Sequence, residues 1–106
     1  MTFAEYEKLN FGYDCITTFW DDFSIADRFG IEAIKDTFNR AFEEWKSNYK
    51  YLTELVIVLN NKCWLHYNNG RTEMSNLYSD LYYRAKSYAE EHLKGDEYEY
   101  FFDITD

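Results

Sequence analysis

The sequence contains no proline, only four glycines, two cysteines and two histidines among 106 residues. Without proline, chain breaks rest on Gly12, Gly30, Gly70 and Gly95, which divide the chain into pieces of helical length. Cys15 and Cys63 form no close pair, and the segment Met1–Glu5 lacks the basic start and apolar run of a secretory signal, so reduced thiols and a cytoplasmic setting are expected. The longest apolar run, Leu55 to Leu59, is far short of the roughly 20 residues a membrane helix needs. No glycine-rich phosphate loop, dinucleotide fingerprint or glycine-flanked serine is present, so neither nucleotide chemistry nor a serine nucleophile has a motif to rest on. No repeat, low-complexity tract or Ser/Gly linker divides the chain.

Positive charge is also scarce. Twenty acids against eleven bases leave a formal charge of −9, which disfavours direct contact with nucleic-acid phosphates or anionic membranes and makes a basic partner, or none, the expectation. The imbalance sits at the ends: residues 1–30 carry six acids and two bases, 31–70 five of each, and 71–106 nine acids and four bases. Aromatic content, in contrast, is 22%, far more ring surface than a disordered acidic chain would carry. The expectation is one folded domain over residues 1–106, with 1–14 as an N-terminal extension and 96–106 as an acidic, aromatic tail.

Apolar spacing predicts an all-α fold, a small bundle of three long helices plus one or two short N-terminal ones. Thr2-Phe3-Ala4-Glu5 fits a capping box for a short first helix ending near Lys8. Ile16, Phe19, Trp20, Phe23 and Ala26 predict a second over 15–29, interrupted near Asp22-Phe23-Ser24. Ile31, Ile34, Phe38, Phe42, Trp45 and Tyr49 share one face of a helix over 31–49. Over 51–68, Leu52, Leu55, Val56, Leu59 and Cys63 form a stripe whose flanks are also apolar, which predicts the central, most buried helix. After Asn68-Asn69-Gly70-Arg71, Thr72 is positioned to cap a helix that carries Met74, Leu77, Tyr78, Leu81, Ala85 and Ala89 to Lys94. Residues 96–102 follow neither period and are expected to pack as an irregular arm.

Two stretches, TTFWDDFSIADRFG at 17–30 and IKDTFNRAFEEWKSNYKYLTELVIVLN at 34–60, together with HLKG at 92–95 and the closing ITD, carry a resemblance. Over about residues 16–106 the chain resembles a group of small uncharacterised proteins of phages, plasmids and conjugative elements of Firmicutes and other gut bacteria. The resemblance implies a mobile-element setting and a helical domain. It implies no catalytic residue and no cofactor.

Cys63 and His66, three apart on a helix, offer half of a metal site, but no second paired motif completes it, so a buried thiol beside a partly exposed imidazole is the expected reading and no metal is assigned. Asp21, Asp22 and Asp27 cluster near the end of one helix, where caps and a solvated face are the expected reading and an acid pair or cation site the alternative, and they also count as candidates for partner contact. Glu43 and Glu44, beside Arg40 and Lys46, read as a salt-bridged solvent face. Tyr78, Tyr82, Tyr83 and Tyr88, with Trp45, Tyr49, Tyr51 and Trp64, are more ring area than a small core obviously needs; the first reading is a short chain that fills its core with large side chains, the second is phenols at a surface meeting a partner, with Tyr82 and Tyr83 as candidates. The candidate contact residues are therefore Asp21, Asp22, Asp27, Tyr82, Tyr83, Asp96, Glu97, Glu99 and Asp103. The expected function is non-enzymatic: a protein-binding module of a mobile element, in one form an acidic, anti-CRISPR-like or DNA-mimicking inhibitor. The alternative is a self-associating helical homodimer without an inhibitory role.

Overall fold

The computed structural model describes residues 15–105, with side chains from Phe19 onward. The short helix expected at Thr2–Lys8 and the 1–14 extension lie outside the described residues. Five helices and no strand account for the described chain: α1 (Cys15–Phe29), α2 (Ile31–Trp45), α3 (Tyr49–Asn68), α4 (Thr72–His92) and α5 (Asp96–Thr105). The all-α expectation therefore holds. The helix inventory differs from the expected one, with four long helices among the described residues and a short one at the C-terminal end.

Each boundary has a local cause. Gly30 alone separates α1 from α2: its N–H bonds the Ala26 carbonyl at 3.0 Å and its carbonyl accepts from Ile34 N at 3.1 Å, so one residue closes one helix and opens the next. Its φ of 108° and ψ of −168° lie in a region only glycine occupies without strain. The expected interruption of α1 near Ser24 is absent, because Phe19, Phe23 and Ala26 all turn to the core along one continuous face. α2 stops at Trp45 and not at Tyr49. The Asn48 side chain accepts from Lys50 N at 3.1 Å and Tyr51 N at 3.3 Å, and this cap gives Tyr49 to the next helix. α3 ends over Gly70, at φ 75°, with Arg71 N bonded to the His66 carbonyl at 2.9 Å. Thr72 is the first residue of α4 and not its cap, a position held by Arg71 without a side-chain cap bond.

The segment expected to be an irregular arm is the helix α5. Asp96, Glu97 and Glu99 stand in its first turn, where the helix dipole favours negative charge. Phe101 anchors it in the core, and Tyr100 packs edge-on against Tyr49 at 5.3 Å.

α3 is the central element, as expected, with nine buried positions, and its longest neighbour is α4. The alanines Ala85 and Ala89 of α4, both fully buried, permit a close approach of the two helices. Leu52, Leu55, Val56, Val58 and Leu59 meet Phe23 of α1, Ile34 and Phe38 of α2, and Tyr78 and Leu81 of α4 in one core. Rings fill much of its periphery: Trp45 stacks on Tyr51 at 4.1 Å, and Phe42 meets Tyr88 edge-on at 5.1 Å. Phe42 and Trp45 are thus partly covered and not fully buried. The Cα envelope measures 37 × 32 × 24 Å. Among the described residues no helix is long and apolar enough to cross a membrane.

Candidate functional site

The stripe that α3 turns inward runs Leu52, Leu55, Leu59 and then continues to Lys62 and His66, both only 2% exposed. A cation placed in a core must be paired, since removing an isolated charge from water costs several kcal/mol. The pairing comes from α1. Asp27 Oδ2 accepts from Lys62 Nζ at 3.2 Å and faces His66 Nε2 at 3.0 Å, while Asp27 Oδ1 accepts from the Tyr78 hydroxyl at 2.5 Å. Lys62 also donates to Ser24 Oγ at 2.7 Å and lies 4.1 Å from the centre of the Trp20 ring.

The tautomer of His66 follows from its neighbours. Arg71 Nε donates to His66 Nδ1 at 2.7 Å, and arginine is always a donor, so Nδ1 carries no proton. Nε2 then holds the ring's single proton and donates it to Asp27. The imidazole also stacks on Tyr78, ring centres 5.3 Å apart and within 7° of parallel. Burial first, and the hydrogen bond to Asp27 second, push the Tyr78 phenol far above its ordinary range, so it serves as a donor throughout the physiological range.

This arrangement resembles a catalytic constellation in its residue types but not in its state. Asp27 accepts three donors, both imidazole nitrogens are engaged, and the Asp27 side chain is only 16% exposed. A general base needs a free lone pair facing a substrate. Three of the four lone-pair positions of the Asp27 carboxylate and both imidazole nitrogens are taken, and the cluster ties α1, α3, the α3–α4 loop and α4 to one another.

Cys63 and His66 diverge. The expected burial is reversed: the Cys63 thiol, 3.5 Å from Ser75 Oγ on α4, is half-buried, while His66 points to Asp27 and is buried. Among the described residues no group of three or more His, Cys, Asp or Glu side chains is arranged to hold a metal ion.

The candidate contact residues separate into distinct places. Asp27 leaves the surface set, since its carboxylate is turned inward and engaged. Asp21 and Asp22 are exposed on α1, and Asp22 edges an open cleft of about 470 Å³ between α1 and α2 lined also by Ile25, Phe29, Asp36 and Arg40. Asp96, Glu97, Glu99 and Asp103 are all exposed on α5. Among the described residues α1 and α5 make no contact, so the two acidic sets are separate surfaces. Tyr82 and Tyr83 meet edge-on at 5.1 Å on α4, with Tyr83 exposed and Tyr82 half-buried under the Lys86 ammonium, 5.6 Å from its ring centre. Glu43 and Lys46 pair at 2.9 Å on the solvent side of α2.

Other exposed rings were not among the candidate contact residues. On α5, Tyr98 and Phe102 stack at 6.3 Å while remaining 37% and 51% exposed. On α3, Trp64 and Tyr67 meet edge-on at 5.6 Å, at 55% and 64% exposure. Their i,i+4 and i,i+3 spacings were the available signal. Compared with protein-family models, curated proteins and solved structures, the chain matches none.

Proposed function

We propose that the protein is a non-enzymatic binding module whose partner presents a basic surface with an apolar centre, and that α5 is the contact element. The observation that carries this reading is the composition of α5 on its exposed side. The exposed residues of the helix include four carboxylates, Asp96, Glu97, Glu99 and Asp103, and the stacked Tyr98–Phe102 pair, with no basic residue in the helix. Rings at the centre of a contact supply desolvated area, and the surrounding charge steers and orients a partner of opposite sign. The helix is pre-formed and anchored by Phe101, so little ordering entropy opposes binding. A mobile-element setting, as the sequence resemblance implies, makes a host nucleic-acid-binding or defence protein the natural target class, with carboxylates standing where that target expects phosphates. The closed state of the Asp27–His66 cluster supports a binding role over a catalytic one.

The test begins with a photo-reactive residue at Phe102, and separately at Tyr83, to capture the partner covalently in host cells. Affinity for the captured partner is then measured between about 50 and 500 mM salt, where screening contracts from beyond 10 Å to a few ångströms. Binding is expected to weaken at least tenfold over that range. Reversal of the four α5 acids to lysine is expected to abolish it, and reversal of Asp21 and Asp22 to leave it nearly intact. A complex equally tight at both salt concentrations, or one sensitive only to the α1 pair, refutes the assignment to α5.

A further inference from the structure

The solvent side of the C-terminal half of α3 differs from the rest of this acidic molecule. Between Val56 and Gly70 the only ionisable cation-forming side chains, Lys62 and His66, are turned into the core and spent on Asp27. What remains outside from Asn61 to Asn69 is uncharged: Asn61, Trp64, Leu65, Tyr67, Asn68 and Asn69 are all exposed. Tryptophan and tyrosine with neighbouring asparagines, depleted of charge, is the composition of an interface centre.

We infer that this face is where a second copy of the chain docks. A basic partner would be drawn to acids, and this face has none to offer. Two copies, each of charge −9, repel wherever their acids are brought together, and an uncharged aromatic face lets them meet with those acids held apart. Directly after the patch in sequence stand Arg71 and Glu73, both exposed and of opposite sign, so its border adds no net charge. The α4 phenols are less suited to this, since Tyr82 is half-buried and Asp80, Arg84, Lys86 and Glu90 share that helix. The exposed parts of Trp64 and Tyr67 offer roughly 100–150 Å² each, and with Leu65 and the asparagines the face falls short of the ~800 Å² per partner of a standard interface. The dimer is therefore a weak, transient one.

Sedimentation equilibrium of the whole chain from about 1 to 500 μM, at two salt concentrations, tests this, using the mass of 12.9 kDa for one copy as reference. The expected result is a rise towards twice that mass which strengthens as salt screens the mutual repulsion, opposite in sign to the salt response of an α5-bound partner. Trp64→Glu and Tyr67→Glu each abolish it by setting acids against acids at the centre, while Phe102→Glu leaves it unchanged. Concentration-dependent NMR shifts in the native chain give a readout that needs no variant, and they are expected on residues 61–69. A monomer at 500 μM, a dimer indifferent to Trp64→Glu in a variant that keeps its helical spectrum, or shifts centred on α5, α4 or the N-terminal segment would overturn the inference. Loss of the dimer in Phe102→Glu alone would also overturn it, and would leave the α5 reading to its own experiment.

Discussion

Replacing Asp27 by asparagine removes one negative charge from a place where a lysine, a neutral histidine and a phenol all donate to it. The main loss is at Lys62. At 2% exposure its ammonium would keep only Ser24 Oγ and the Trp20 ring as favourable neighbours. Breaking a buried pair from one side costs about 3–5 kcal/mol, and because Asp27 is 16% exposed, water partly reaches the vacated charge, so the lower end, about 3 kcal/mol, applies. Lys62→Met leaves a carboxylate with two neutral donors and some water, at a cost of about 1–3 kcal/mol. In the double variant neither stranded charge exists. Its loss should fall below the sum of the two by about 1.5–3 kcal/mol, the coupling typical of residues in one network. Urea unfolding followed by far-UV circular dichroism measures all three variants without adding salt, and with about 4 °C per kcal/mol for a chain of this length Asp27→Asn should melt roughly 12 °C below the parent. Additivity within about 0.5 kcal/mol, or an Asp27→Asn loss below about 1 kcal/mol, would refute the account of the cluster as a tie between helices.

Two further outcomes follow from the core. The Tyr78 phenol is held well above the value near 10 of an unfolded tyrosine, so its contribution to stability is complete below pH 10 and is lost as pH rises beyond it, because the unfolded chain then releases a proton that the native chain retains. Urea midpoints measured from pH 9 to 11.5 should fall more steeply for the parent than for Tyr78→Phe, by up to about 1.4 kcal/mol per pH unit, and parallel slopes would contradict this. Leu59, fully buried at the centre of α3, should cost about 2–5 kcal/mol when cut to alanine, and a loss below about 1 kcal/mol in chemical unfolding would mean that α3 is not central.

The apolar stripes of α2, α3 and α4 were legible because 3.6-residue periodicity survives in any helix with one buried side. The polar cluster was harder to see. The stripe Leu52, Leu55, Leu59 can be extended by four residues to Cys63 or by three and then four to Lys62 and His66, and hydrophobicity alone favours the thiol. The chain takes the second course because Asp27 lies across from it, a fact that depends on α1 and α3 meeting in space. The same non-locality moved Asp27 out of the acidic group with Asp21 and Asp22: three aspartates close in sequence lie at different angles around one helix, and only Asp27 points inward. α5 was missed for a different reason. Its acids and rings mix without a clear period, and what fixes it as a helix is the first-turn charge together with one buried ring, Phe101. Composition alone did foresee the acidic ends and the surplus of rings, but not which rings stay outside.

The single residue between α1 and α2 has a consequence for how this chain tolerates change. A side chain on Gly30 would meet no neighbour, so what opposes a substitution there is backbone torsion and not a clash. Any other residue there is driven towards the torsions of its helical neighbours, and the two segments then tend to run on as one rod from Cys15 to Trp45, about 46 Å long at 1.5 Å per residue. That rod exceeds the 37 Å greatest dimension of the fold. Its far half would leave its own core and must find the equivalent place in another molecule, an exchange of arms between copies. Exchange of arms between copies is thus the failure to look for when a side chain is placed at position 30.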